Sequence, residues 1–159
     1  MSEYQLSQTY HMIQEAAQRG DGYGIDEFHS EQDFRREIAG SDCFAVNVQR
    51  KRRTDRWLHT CRSKFYRGAA DVVDPFIIVK RTERNQKLGK FCMKKAIEYS
   101  KKLAYKGMYV DTFSNNIAVQ KILENFGTFV KVGFLPLGGK LQDGQLVGSL
   151  IYYMDLTAS

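Results

Sequence analysis

Between Val79 and Gly89 the chain reads Val-Lys-Arg-Thr-Glu-Arg-Asn-Gln-Lys-Leu-Gly, a polar and cationic turn. It joins the apolar run Pro75 to Lys80, which reads as a buried strand, to Lys90 to Tyr105, whose apolar residues recur with helical spacing. A helix starting here turns the free N–H groups of its first turn, and the positive end of its dipole, toward whatever lies above the strand end. Arg84, Lys87 and Lys90 place cations where they oppose that dipole, a cost that a bound anion relieves. The pattern is that of a phosphate cradle, and a pyrophosphate is its expected ligand.

Familiar nucleotide motifs do not fit this turn. A P-loop needs G-x-x-x-x-G-K-[ST] and a dinucleotide fingerprint needs three glycines, whereas only Gly89 is present. His11, His29 and His59 have no metal-ligand spacing, and no Ser-His-Asp or Cys-His arrangement is supported, so they read as surface or packing residues and no metal is expected. Cys43, Cys61 and Cys92 are odd in number and far apart, which argues against a disulfide framework and for a reducing, cytoplasmic compartment. The net charge of +6 favours an anionic ligand or partner. Its densest run, Arg50-Lys51-Arg52-Arg53, has no interleaved aromatic residues and reads as a solvated hairpin tip, not a nucleic-acid site. No apolar run approaches the ~20 residues that span a bilayer, and no signal-peptide pattern opens the chain, so no membrane partner is expected.

The elements that must hold the turn follow from periodicity. With 159 residues and 43% hydrophobic content, one α/β domain over residues 1–159 can bury a core. Leu6, Tyr10, Ile13 and Ala17 mark one face of a helix over 5–19 that stops at Gly20. A second helix runs from an N-cap at Ser30 to Gly40. Cys43 to Val48 and Arg56 to Tyr66 are β-favouring and read as antiparallel strands joined by 49–55. Asp71 to Lys80 is a third strand, apolar on both faces at Phe76-Ile77-Ile78-Val79 and therefore central. Pro75 within it calls for a bulge or a non-bonded edge.

After the helix over 90–105, closed by Lys106-Gly107, come a strand over 108–113 and a helix capped at Ser114-Asn115-Asn116. The inner face of that helix is expected at Ile117, Val119, Ile122, Leu123 and Phe126, with its end at Gly127. Two closing strands follow, 128–135 and 148–156, with a turn over 136–145. The strand-loop-helix-strand unit between Ile77 and Phe113 implies a right-handed parallel crossover and hence a mixed sheet.

Arg84-Asn85-Gln86-Lys87-Leu88-Gly89 resembles the R/Q-x-x-G-x-G/A signature of the GNAT superfamily of N-acetyltransferases, departing from it at Lys87, where that family usually has glycine. Val79 ahead of the loop, Asn116-Ile117-Ala118, Phe126-Gly127 and Lys131-Val132-Gly133 are similar to further segments of the family. The resemblance spans roughly residues 70–135. It implies a GNAT-like mixed central sheet flanked by helices, although the family's first strand, which precedes the first helix, is missing here. Another chain filling that place, as in a homodimer, is one reading of the gap.

What the resemblance implies for chemistry is binding of acetyl-CoA, with the backbone of Arg84, Asn85, Gln86, Lys87, Leu88, Gly89 and Lys90 on its pyrophosphate. The pantetheine arm would pair with Ile77, Ile78 and Val79 and touch Asn116. A backbone N–H near Val79 would polarise the thioester, an effect of about 3 kcal/mol. Asp111 and Asp74, on the two strands that the family splays apart, are the candidate bases for the acceptor ammonium. The family's frequent tyrosine acid would fall at Leu123, leaving water or another phenol such as Tyr109, Tyr152 or Tyr153 to protonate the departing thiolate. Lysine at 87 would obstruct the loop or add a phosphate contact. The expected activity is transfer of acetyl to an amine of a small molecule by direct attack. The alternatives are a protein lysine or N-terminal acceptor, or a non-catalytic CoA-binding or interaction domain.

Overall fold

The computed structural model describes residues 1–39, 42–45, 56–62 and 71–158, with backbone alone for the second and third of these segments. Two helices, α1 (Glu3–Gln18) and α2 (Glu31–Ile38), precede strands β1 (Asp42–Ala45), β2 (Arg56–Arg62) and β3 (Val72–Val79). Helix α3 (Leu88–Lys102), strand β4 (Gly107–Phe113), helix α4 (Ile117–Glu124) and strands β5 (Val130–Lys140) and β6 (Leu146–Asp155) complete the order. No strand precedes α1 among the described residues. The expected connection over 49–55 with its basic run, and the strand ends at 46–48 and 63–66, lie outside the described residues.

The sheet has six strands in the order β1-β2-β3-β4-β6-β5, antiparallel throughout except for the β3–β4 pair, which is parallel. It is therefore mixed, with β3 central as its two apolar faces require. Ile78 packs with Ile13, Ala16, Phe34 and Ile38 of α1 and α2 on one face. Val73 packs with Met93, Ala96, Met108 and Leu123 on the other, where α3 and α4 lie, and Ile77 adds to that cluster. Alternation of side chains along one strand thus feeds two separate cores.

Local chemistry sets most of the boundaries. Ser2 caps α1 through a reciprocal pair with Gln5, and Ser30 accepts from the Asp33 N–H to start α2. Gly20 stops the first helix region with φ +67°, a left-handed conformation that costs glycine little. Three expectations need correction. Helix α3 ends at Lys102, and Ala104 takes the left-handed turn (φ 63°), while Gly107 opens β4. A Cβ at Gly107 would lie 2.0 Å from the Tyr153 hydroxyl oxygen, so close packing of that ring is its reason for being glycine. Ile117, expected on the inner face of α4, is 51% exposed, because the first residue of the helix points past the core that Leu123 fills. Pro136 to Lys140 extend β5 instead of forming a turn, with a register irregularity between Leu135 and Gly139. Proline and glycines are tolerated there because β5 is the edge strand.

Candidate active site

Strands β3 and β4 pair at two positions only, Val72 with Gly107 and Val73 with Met108, and then separate. Beyond them a cavity of about 920 Å³ opens between the strands, lined by residues 74–79 of β3 and 110–113 of β4. The separation coincides with Pro75. The carbonyl of Asp71 accepts from the N–H groups of Lys106 and Gly107, so odd-numbered residues of β3 turn their polar backbone toward β4. Pro75 falls in that series and has no N–H to offer, which satisfies the non-bonded-edge expectation without any register shift against β2.

The same parity places the N–H and C=O of Ile77 and Val79 on the open edge. Both carbonyls are taken by side chains: the Tyr23 hydroxyl donates to Ile77 O at 3.1 Å, and Arg84 Nε donates to Val79 O at 3.4 Å. The edge therefore faces the cavity with its acceptors occupied and its two N–H donors directed inward. Tyr23 also leans on Phe76, with ring centroids 5.3 Å apart. Its burial, and then the nearby Glu27 carboxylate, push the phenol above its ordinary range, so it keeps its proton.

One end of the cavity is the loop. Asn85 and Lys87 both have left-handed backbones, φ 64° and 61°, and Lys87 is the N-cap of α3 without any side-chain cap bond. The first helical bond is Phe91 N–H to Lys87 O, which leaves the N–H groups of Leu88, Gly89 and Lys90 as first-turn donors. Arg84, Asn85, Lys87, Leu88, Gly89 and Lys90 all line the cavity. Gln86 does not; its amide donates to Glu83 Oε2 at 3.4 Å on the outer side of the loop. Arg84 also pairs with Asp21 at 3.1 Å, tying the loop to the segment after α1. Asn116 caps α4 by accepting from the Val119 N–H, and its amide lies where a Cβ at Gly22 (φ +87°) would sit, 2.4 Å away. Close approach and backbone conformation both require glycine at 22.

The other end is acidic. Asp74 and Asp111 line the cavity from β3 and β4, facing Asp26, Glu27, Asp33 and Glu37 from the α1–α2 region. Burial, then the Asp111 and Glu27 carboxylates, raise Asp74 to about 7. Asp111 is raised by burial, offset by the Ser149 hydroxyl, which donates to it at 3.3 Å. Glu27 is raised by burial and by Asp111. The cavity is thus polarised, with cations and free N–H groups at the loop and carboxylates opposite.

Ile77, Ile78, Val79 and Asn116 line this cavity with the loop and both aspartates, so of the expected donor-binding residues and candidate bases Gln86 alone does not line it. Tyr109, Tyr152 and Tyr153 do not line it; Tyr152 donates to Glu124 at 3.4 Å. Sequence reasoning missed Tyr23, Glu27 and His29, which line the cavity from a connection without periodicity.

A mixed sheet that splays its one parallel pair beside a cationic loop and an uncapped helix defines the class: the GNAT acetyltransferase fold. Residues 72–128 of the chain match the acetyltransferase (GNAT) family. The structure is similar to an N-acetyltransferase from Staphylococcus aureus Mu50, with TM-score 0.82 at 13% identity, covering 99% of this chain and 96% of that one. It is also similar to the ribosomal-protein-S18-alanine N-acetyltransferase of Escherichia coli, with TM-score 0.74 at 16% identity over 100% and 92% of the two chains. A phosphinothricin acetyltransferase from Sinorhizobium meliloti, solved in complex with acetyl-CoA, gives TM-score 0.81 at 13% identity over 98% and 85%. No curated protein sequence matches the chain. No helix among the described residues is long and apolar enough to cross a membrane.

Proposed function

We propose that the protein transfers an acetyl group from acetyl-CoA to the amine of a small molecule by direct attack in a ternary complex. The polarised cavity between β3 and β4 is the observation that carries this reading. The donor's phosphates fit the loop, where Leu88, Gly89 and Lys90 supply uncommitted N–H groups beside the Lys87 and Lys90 ammonium groups. When bound, acetyl-CoA supplies an activated acyl thioester. The Val79 N–H, on the open edge of β3, is placed to stabilise negative charge developing on its carbonyl oxygen, an effect of about 3 kcal/mol.

Asp74 takes the proton from the acceptor ammonium. With a pKa of about 7 it is basic enough to accept a proton and still ionised in part near neutrality. Asp111, on the facing strand, orients the ammonium and keeps Asp74 basic by repulsion. A small acceptor suits a cavity whose far wall is the α1–α2 segment, from Asp21 to Ile38.

Titration calorimetry with acetyl-CoA tests the donor half, and absence of binding at high micromolar concentration would sink the enzyme reading. Thiol release across a panel of amines then tests transfer. Asp111→Asn should lower turnover about tenfold, and unchanged turnover would remove Asp111 from the mechanism.

A further inference from the structure

The acceptor end of the cavity carries more negative charge than one ammonium needs. Glu27 reaches it from the α1–α2 connection and Asp111 from β4. The Asp111 carboxylate holds Glu27 up, after the effect of burial. No cation among the described residues pairs with either: Glu27 is met by the Gly24 backbone and Asp111 by the Ser149 hydroxyl. Asp21 differs, since Arg19 and Arg84 neutralise it at the boundary with the loop. Aromatic rings line the same cavity as the carboxylates. Phe28 lies 5.3 Å from Phe34 and 6.5 Å from Phe76, and all three line the same wall.

Two carboxylates from different elements, without a cation partner among the described residues and lining one cavity with rings whose faces attract cations, describe the complement of a flexible molecule with a positive charge at each end. Resting on the acetyltransferase reading above, we propose that the acceptor is an aliphatic diamine or polyamine, with the reacting ammonium between Asp74 and Asp111 and a second ammonium held by Glu27. An amino acid acceptor is disfavoured by the same walls, because its carboxylate would meet Glu27 or Asp111, which pair with no cation among the described residues.

The transfer balances without any further reactant. The reacting ammonium gives one proton to Asp74, its nitrogen lone pair forms the C–N bond to the acyl carbon, and the C–S bond breaks. The electron pair of that bond leaves on sulfur, which takes up the second proton that the nitrogen loses, and Asp74 passes the first proton to solvent. The product keeps one ammonium, still held by Glu27.

The test compares 1,4-diaminobutane, butylamine, 4-aminobutanoate and a lysine-containing basic peptide, by calorimetry without donor and by thiol release with acetyl-CoA. The diamine is expected to bind about tenfold more tightly than butylamine, with 4-aminobutanoate weakest. Glu27→Gln is expected to reduce the diamine-to-butylamine ratio of kcat/KM about tenfold, and Glu27→Asp to restore part of it. Equal affinity for diamine and monoamine, or an equal loss for both in Glu27→Gln, would overturn the proposal while leaving acetyl transfer intact. A preference for the peptide over the diamine would overturn the small-molecule source. Loss of acetyl-CoA binding in wild type would overturn the donor assignment instead, and the donor-free calorimetry reads the two apart.

Discussion

The two ends of the cavity are built in opposite ways. The loop end uses consecutive residues, Arg84 to Lys90, and its recognition groups are backbone N–H donors that a helix start leaves free. The carboxylate end uses side chains from the α1–α2 connection, α2, β3 and β4, brought together only by the fold. A backbone cradle tolerates exchange of side chains as long as the conformation holds, whereas a side-chain wall changes preference with a single substitution. On the proposed reading, the loop end suits a ligand read through backbone donors, and the carboxylate end is where a single substitution would change selectivity.

The sharpest way to break this contrast is at Asp74. Asp74→Asn is expected to lower kcat/KM by about 10²–10³-fold while leaving acetyl-CoA affinity close to wild type. In the wild type, activity should rise with pH through about 7 as Asp74 ionises, and the variant should lose that limb. Stability follows the opposite sign. The carboxyl goes from 3.8 to about 7 on folding, so its contribution is fully present below pH 3.8 and is lost as pH rises through about 7. Thermal melts should therefore show Asp74→Asn gaining on wild type at pH 8 and not at pH 4.

A smaller effect is expected at Lys87, whose left-handed φ of 61° explains the glycine usual in such loops. Lys87→Gly should stabilise the ligand-free protein by about 1 kcal/mol by removing that strain. Lys87→Asn, which tolerates the conformation, should gain less. Both should weaken acetyl-CoA binding severalfold at low salt and little at high salt, because both delete a charge near phosphate. Tighter binding in both would identify the lysine as an obstruction. The smallest change is expected for Asn116→Ala, a loss of about 1 kcal/mol in a denaturant melt from the missing cap of α4.

Much of the loop end was legible because a strand, a polar turn and a helix in sequence already fix where the N–H groups point. Pro75 was a further signal, since its missing donor marked the edge that β4 leaves. The acceptor wall was not legible. Tyr23 meets Ile77 across 54 residues of sequence, and the connection carrying Tyr23, Glu27 and His29 has no period to read. A signal existed in composition: Asp21, Asp26, Glu27, Glu31, Asp33 and Glu37 fall close together in a chain of net charge +6. The outward side chain of Gln86 was not legible either, because position in a motif says nothing of which side of a turn a side chain takes.

The two registered pairs between β3 and β4 have a mechanical meaning. Among the described residues they are the only strand-pairing rungs joining β1-β2-β3 to β4-β6-β5, so the sheet is two rafts sharing a short hinge. A molecule lying along the open edge of β3 and touching β4 supplies rungs of its own. Loading the cavity should then protect the amides of Ile77 and Val79 from exchange and fuse two weakly coupled melting units into one.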